Sequence, residues 1–237
     1  MIKYLLSLSL AVLCSSCALN DTARLKSAKT CVITTSIPDE ADFHRLGFTT
    51  FGNRHERSTI PGLRKMTEEV LREEIGRFYQ IKAVVQAPPP GKEYNAAMAS
   101  VRAKHQADLE IQVYPHGYHP YGIPAYLEAD GFGLYTGGSA GGGTAVSYTG
   151  LRVLDGTTGK EVASPLGQND YGIVPDADTF AKERMKRPSQ RPFTLTEKSD
   201  GVGHASLSPG DRARLLGTYR ELFREKVRND LWRMELR

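Results

Sequence analysis

The stretch from Ser208 to Met234 constrains the fold more than any other. Leu215, Leu216, Tyr219, Leu222, Phe223, Val227, Leu231 and Met234 recur at three- and four-residue spacing, with charged residues between them. That period puts every apolar side chain on one stripe of a helix. Ser208 stands where a cap is needed. Pro209 stands at the first helical position, where a missing N–H costs nothing. A stripe of this length needs a cover, so the rest of the chain must supply a sheet or further helices.

Short β-branched and aromatic runs supply the strands. Cys31–Ile37 reads as a first strand, a second is centred on Leu46–Phe51, and Tyr79–Val85 reads as another. Asp108–Tyr114 alternates polar and apolar residues strictly, which predicts a half-buried strand with its polar face in water. A helix from Pro61 carries Leu63, Met66, Val70, Leu71 and Ile75 on one face, and the alanine-rich Tyr94–His105 reads as a second. Tyr126–Tyr135 and Thr144–Leu154 read as a hairpin with a glycine-rich tip. Leu151–Ala163 reads as another, with Asp155-Gly156 and Thr158-Gly159 in its turn. Helices alternate with strands early and strands follow one another later. The expected class is α/β (α+β): a single mixed β-sheet with packed helices and a long C-terminal helix.

The N-terminus reads as an address. Met1-Ile2-Lys3 is a short basic start, Tyr4–Leu13 is an apolar run broken by two serines, and Cys14-Ser15-Ser16-Cys17 follows. Basic end, apolar core and small residues before a cut make a secretory signal, and the run is too short to span a bilayer. The cysteine after two small residues resembles the lipobox of bacterial lipoproteins, although Cys14 stands where leucine is usual. On that reading Cys17 carries the lipid and holds the chain at a membrane without crossing it. The alternative is an ordinary secretory signal with incidental cysteines. Residues 1–16 are thus expected as a signal peptide, 17–30 as a tether, and 31–237 as a single α/β domain. Residues 165–208, rich in Gly, Pro, Asp and Ser, are expected as an irregular insertion.

Composition excludes some roles. Charged residues make up 24% of the chain, the formal net charge is +4, and the charges are scattered. A nucleic-acid binder wants a concentrated basic stripe, so no nucleic-acid partner is expected. If Cys14 leaves with the signal and Cys17 is lipidated, Cys31 remains alone and no intramolecular disulfide forms. Cys31 opens an apolar run and reads as a small buried residue.

Few constellations carry chemistry. His116 and His119 can share a metal only if a third ligand arrives, and none is local, so they are weak metal candidates beside a plain loop reading. Glycines between Gly131 and Gly143 are followed by a strand-like run, not by Lys-Ser/Thr and a helix, which excludes a phosphate loop. That hairpin is either a mobile tip or an element of an oligomeric pore. No serine sits in Gly-x-Ser-x-Gly. Glu68, Glu69, Glu73 and Glu74 read as a solvated helix face. Lys182, Arg184, Lys186, Arg187 and Arg191 read as a solvated loop or a contact for anionic lipid heads. No catalytic residue and no cofactor is expected.

Three motifs carry a resemblance. Leu46-Gly47-Phe48-Thr49-Thr50-Phe51-Gly52-Asn53 resembles a segment after the first strand of proteobacterial envelope proteins. Asp130-Gly131-Phe132-Gly133-Leu134-Tyr135 is similar to a second such segment. Leu154–Val162 resembles the Asp-x-x-Thr-Gly-Lys turn of periplasmic lipoproteins with an anticodon-binding-like α/β domain, as in curli-secretion and peptidoglycan-synthase-activator relatives. The resemblance spans residues 31–163 and the last helix. It implies a small α/β lipoprotein domain without known catalytic residues. Together these readings lead to an expected function: a lipid-anchored periplasmic binding or accessory protein of the cell envelope. It would be non-catalytic, held at the outer membrane through its lipid and partnered with an envelope protein. An envelope hydrolase is the rival, and an oligomeric pore or secretion subunit using residues 126–154 is a third reading.

Overall fold

The structure is a computed structural model, and it describes residues 21–47, 50–88, 92–118, 128–137, 143–165, 190–196 and 201–236. Among these, a short helix α1 (Thr22–Ser27) leads into β1 (Thr30–Thr35), β2 (Glu40–Leu46) and β3 (Arg54–Thr59). Then come α2 (Leu63–Ile75), β4 (Gln80–Gln86), α3 (Tyr94–His105) and β5 (Leu109–Pro115). β6 (Gly117–Tyr118) and β7 (Ala129–Asp130) are two-residue strands, followed by β8 (Phe132–Gly137), β9 (Gly143–Ser147), β10 (Thr149–Asp155) and β11 (Glu161–Ala163). β12 (Gln190–Phe193) and the long α4 (Pro209–Arg233) complete the described chain.

The α+β class holds, but instead of forming one sheet ten of the described strands divide between two five-stranded sheets, and β6 pairs with β7 apart from them. The first sheet runs β11-β10-β5-β1-β4 and the second β12-β9-β8-β2-β3. In the first, β1 is parallel to both β4 and β5, while β10 is antiparallel to β5. In the second, β2 is parallel to β8 and antiparallel to β3. The split occurs inside the run expected as one strand, Thr144–Leu154. At Tyr148 the backbone leaves both ladders: its N–H donates to the Gly131 carbonyl at 2.6 Å and its carbonyl accepts from the His116 N–H at 3.0 Å. β9 therefore pairs β8 in one sheet and β10 pairs β5 in the other.

The covered stripe of α4 is the one the sequence shows. Leu215, Tyr219, Leu222, Phe223, Val227 and Leu231 are buried in one core with α2 and the inner faces of both sheets. Ser208 caps the helix, its Oγ accepting from the Asp211 N–H at 3.2 Å. Burial of these side chains stabilises each by roughly 1.5–3 kcal/mol before entropy is counted.

Four further expectations change. The strand centred on Leu46–Phe51 lies earlier, at β2, because Ala41 and Phe43 are its core-facing pair. Thr50–Gly52 is a 3-10 turn at the β2–β3 tip. β3, Arg54–Thr59, is an edge strand with no apolar alternation to betray it. The described part of the tether is not free: Asp21 caps α1, Leu25 is buried in the core, and the Asp21 N–H donates to Val162. Of the insertion 165–208, residues 166–189 and 197–200 lie outside the described residues. Gln190–Phe193 pairs with β9, while Leu195, Val202 and Leu207 pack on the core.

Of the face expected to be solvated, Glu69 is part-exposed and Glu73 exposed, whereas Glu74 is buried. They meet Arg220, Arg224 and Arg228 of α4. Glu74 is 1% exposed at its side chain and holds Arg228 at 2.8 Å and Arg77 at 3.1 Å. α2 and α4 are thus joined by an ion-pair network, which resists screening better than isolated surface pairs. The reason is geometric: a 13-residue α2 lying along a 25-residue α4 brings its charged flank beside the flank of its partner.

Candidate functional site

The outer face of the first sheet carries polar side chains where a hydrophobic layer would be ordinary. Register explains which ones. Thr34 lies opposite Gln112, and Gln112 lies opposite Arg152, so β1, β5 and β10 line up polar residues across the sheet. Glu110, one step along the same face, is 0% exposed. α3 lies against this face and contributes Arg102, whose Nη1 donates to Glu110 Oε2 at 2.7 Å. The other carboxylate oxygen accepts from Thr34 Oγ1 at 3.1 Å and from Gln112 Nε2 at 2.7 Å. A buried carboxylate is tolerable only when its lone pairs are met in this way.

The network continues to a cleft. Gln112 Oε1 accepts from Arg152 Nε at 2.7 Å, which fixes the guanidinium by one edge. The Tyr94 hydroxyl also meets Arg152, and burial raises that phenol's pKa. Arg152 lies 5.9 Å over the Tyr114 ring, a cation–π distance. Tyr114 can lie there because its partner across the ladder is Gly150: a Cβ at Gly150 would stand 2.3 Å from the ring. Tyr94, Met98, Arg102, Arg152, Leu154 and Glu161 are among the residues that surround a cleft of about 250 Å³. The strict alternation of Asp108–Tyr114 correctly marks a strand. It misses that α3 covers the polar side, so Glu110 and Gln112 are buried and not wet.

A second polar cluster lies on the second sheet. Asp42 and His44 share one face of β2, and His55 of β3 lies opposite His44 in register. His55 Nε2 lies 2.9 Å from Asp42 Oδ1. Asp42 Oδ2 accepts the Asp130 N–H at 2.8 Å, with Arg57 Nη1 at 3.6 Å. The His44 ring is stacked between His55, at 4.5 Å, and Tyr135, at 4.6 Å. Among the described residues neither nitrogen of His44 meets hydrogen-bond geometry with another group, though the backbone at Glu128 is near enough to favour its charged form. Burial and the neighbouring His55 outweigh that and lower its pKa to about 4. Tyr219, fully inside α4's stripe, has its hydroxyl unpartnered among the described residues and its pKa raised by burial.

The residues expected from sequence fall as follows. Cys17 and His119 lie outside the described residues. His116 stacks on Tyr148 with ring centroids 4.9 Å apart, and among the described residues no group of three or more His, Cys, Asp or Glu is placed to hold a metal. Cys31 is buried and its thiol pKa is pushed up to about 12 by burial, as an inert small side chain should be. Of the basic residues, Lys182, Arg184, Lys186 and Arg187 are outside the described residues, and Arg191 is paired with Glu221 and Glu225 of α4. The 126–154 hairpin exists over β8 and β9, but Phe132, Leu134 and Ala145 are committed to the core.

No family model matches the chain, and no curated protein matches it. A solved structure of a Xanthomonas campestris protein of the family DUF330 is similar at 12% identity and a TM-score of 0.33, over 83% of this chain and 81% of that one. A likeness at that level assigns neither family nor activity.

Proposed function

We propose that the chain is a lipid-anchored binding or accessory protein of the bacterial cell envelope, attached through Cys17 at the outer membrane and facing the periplasm. The anchor half rests on the layout of Met1 to Cys17. The binding half rests on one observation: the polar groups gathered on the first sheet are locked to one another and open onto a cleft. Glu110 is held by three donors, which suits a rigid binding wall and leaves no free base there. Among the described residues no helix is long and apolar enough to cross a membrane. Phe51, 99% exposed at the β2–β3 tip, offers an envelope partner an apolar contact.

A second reading, an envelope hydrolase, is favoured by the His55–Asp42 pair, which has the arrangement of a general base with its orienting acid. That reading needs a nucleophile beside the pair, and the hydrogen bond that defines His55 is the one to Asp42.

Growth with labelled palmitate and membrane fractionation test the anchor. Wild type is expected to take up label and sediment with the outer membrane, and Cys17→Ala is expected to do neither. Soluble, unlabelled export of the wild type would overturn the anchored reading. Turnover of model esters or peptides that His55→Ala abolishes would overturn the non-catalytic one.

A further inference from the structure

We infer that the cleft beside Arg152 is a binding site for a small zwitterion of amino-acid size, its carboxylate on Arg152 and its ammonium toward Glu161. The inference rests on the binding reading above and names the ligand class of that site.

Two charges in the cleft carry it. Arg152 is half-buried, and among the described residues no carboxylate stands within ion-pair distance of it. Arg102, in the same cleft, is closed on Glu110 at 2.7 Å. A partly buried guanidinium without a counter-ion is costly unless something supplies one. Gln112 takes the Nε edge of Arg152. The fork of terminal nitrogens is the part that matches a carboxylate.

Glu161 provides the opposite sign. It sits on β11, registered across from Leu154 of β10, and borders the same cleft. It is exposed and has no ion-pair partner among the described residues. One uncompensated cation and one uncompensated anion thus border a single opening without neutralising each other. A simple anion satisfies Arg152 and is repelled by Glu161. A zwitterion satisfies both.

Size and lining narrow the class. A cleft of about 250 Å³ lies below the roughly 300–1,000 Å³ of pockets for drug-sized ligands, which favours a small ligand. Met98 and Leu154 give a short aliphatic side chain an apolar wall.

The test uses three probes of one shape: valine, isovalerate, which lacks the amine, and isobutylamine, which lacks the carboxylate. The full chain in detergent is titrated with each by calorimetry. Valine is expected to bind, isovalerate about tenfold more weakly, and isobutylamine not at all. Arg152→Gln is expected to lose valine binding. Glu161→Gln, at an exposed site, is expected to weaken valine and strengthen isovalerate, so that the two bind alike. Failure of valine to bind the wild type overturns the inference. So does equal binding of valine and isovalerate, or a Glu161→Gln variant with valine affinity intact. Cys17→Ala separates this from the anchor: it is expected to leave the membrane and still bind valine.

Discussion

Both sheets bury a carboxylate on the face turned away from the common core, and they manage it differently. On the first sheet Glu110 has lost all contact with water and depends on a single cation, Arg102, with Thr34 and Gln112 completing its hydrogen bonds. On the second, Asp42 shares its charge among a backbone N–H, a half-exposed histidine and a more distant arginine. The first arrangement concentrates the electrostatic load on one pair. The second distributes it and leaves its strain on a neighbour, the stacked and neutral His44. The difference teaches that a buried charge is not one kind of object: its cost depends on how many partners would have to fail together.

Arg102→Ala is the most direct way to break the contrast. It strands Glu110 with no cation, and a buried carboxylate left unpaired costs about 3–5 kcal/mol. Urea unfolding is expected to show a midpoint shifted by that amount with the slope unchanged. A loss under 1 kcal/mol would mean that Thr34 and Gln112 hold Glu110 without its cation and that the first sheet resembles the second.

The second prediction concerns pH. His44 has a folded pKa of about 4 against an ordinary value of 6.5. Between those values the unfolded chain takes up a proton that the folded chain refuses. Stability therefore falls as pH drops from 6.5 toward 4, by an amount on the order of 3 kcal/mol, and this contribution is flat below and above that window. His204, lowered by burial and by Arg212, pulls in the same direction. Asp155 acts elsewhere: the Thr158 N–H and other donors hold its pKa at about 2, so its contribution is lost only as pH falls from 3.8 toward 2. His44→Phe keeps an aromatic stack and removes the titration. Its stability curve is expected to be flatter than wild type between pH 6.5 and 4, and unchanged in slope below pH 3.8. An identical slope in both windows would remove His44 from the account.

Asp42→Ala is expected to cost less, about 1–3 kcal/mol, because what it abandons is the buried Asp130 N–H and not a bare charge. Thermal unfolding measures it, and hydrogen exchange at Asp130 should accelerate in the variant. A loss equal to that of Arg102→Ala would show that the second sheet also leans on one pair.

How much of this contrast is legible in the sequence depends on the element. α2 and α4 are written in apolar period, α3 in its alanines, and β1, β4 and β5 in short apolar or alternating runs, and the structure places them within a few residues of where those signals put them. β3 is not, because Arg-His-Glu-Arg-Ser-Thr carries no apolar face; it is held by its ladder to β2 and not by burial. The division into two sheets is hidden for a similar reason. Thr144–Leu154 has the composition of one strand, and the crossing at Tyr148 is made by backbone hydrogen bonds to Gly131 and His116, residues far away in sequence. The first polar site could be half-seen: Glu110 and Gln112 alternate with apolar residues, but only the docking of α3 makes them buried. Arg102 and Arg152 have no local signal that joins them, because α3 and the ladder between β5 and β10 bring them together.

The smallest expected effect sharpens the comparison most. Arg57 is the counterpart of Arg102, since both stand beside a buried carboxylate. Arg57 lies 3.6 Å from Asp42 and 3.0 Å from the half-exposed Glu40, with 35% of its own side chain in water. Water screens it, and Asp42 keeps the Asp130 N–H and His55 when it is gone. Arg57→Ala is therefore expected to cost about 0–1 kcal/mol, the range of an exposed pair. Salt should erase most of that, while the loss from Arg102→Ala should persist, because ions screen exposed charges and not a pair closed beneath a helix. Urea midpoints of both variants at low and high salt make the comparison in one experiment. If the two arginines respond alike to salt, the distinction between a concentrated and a distributed buried charge fails, and with it the claim that the first sheet's outer face is a rigid, dry wall behind its cleft.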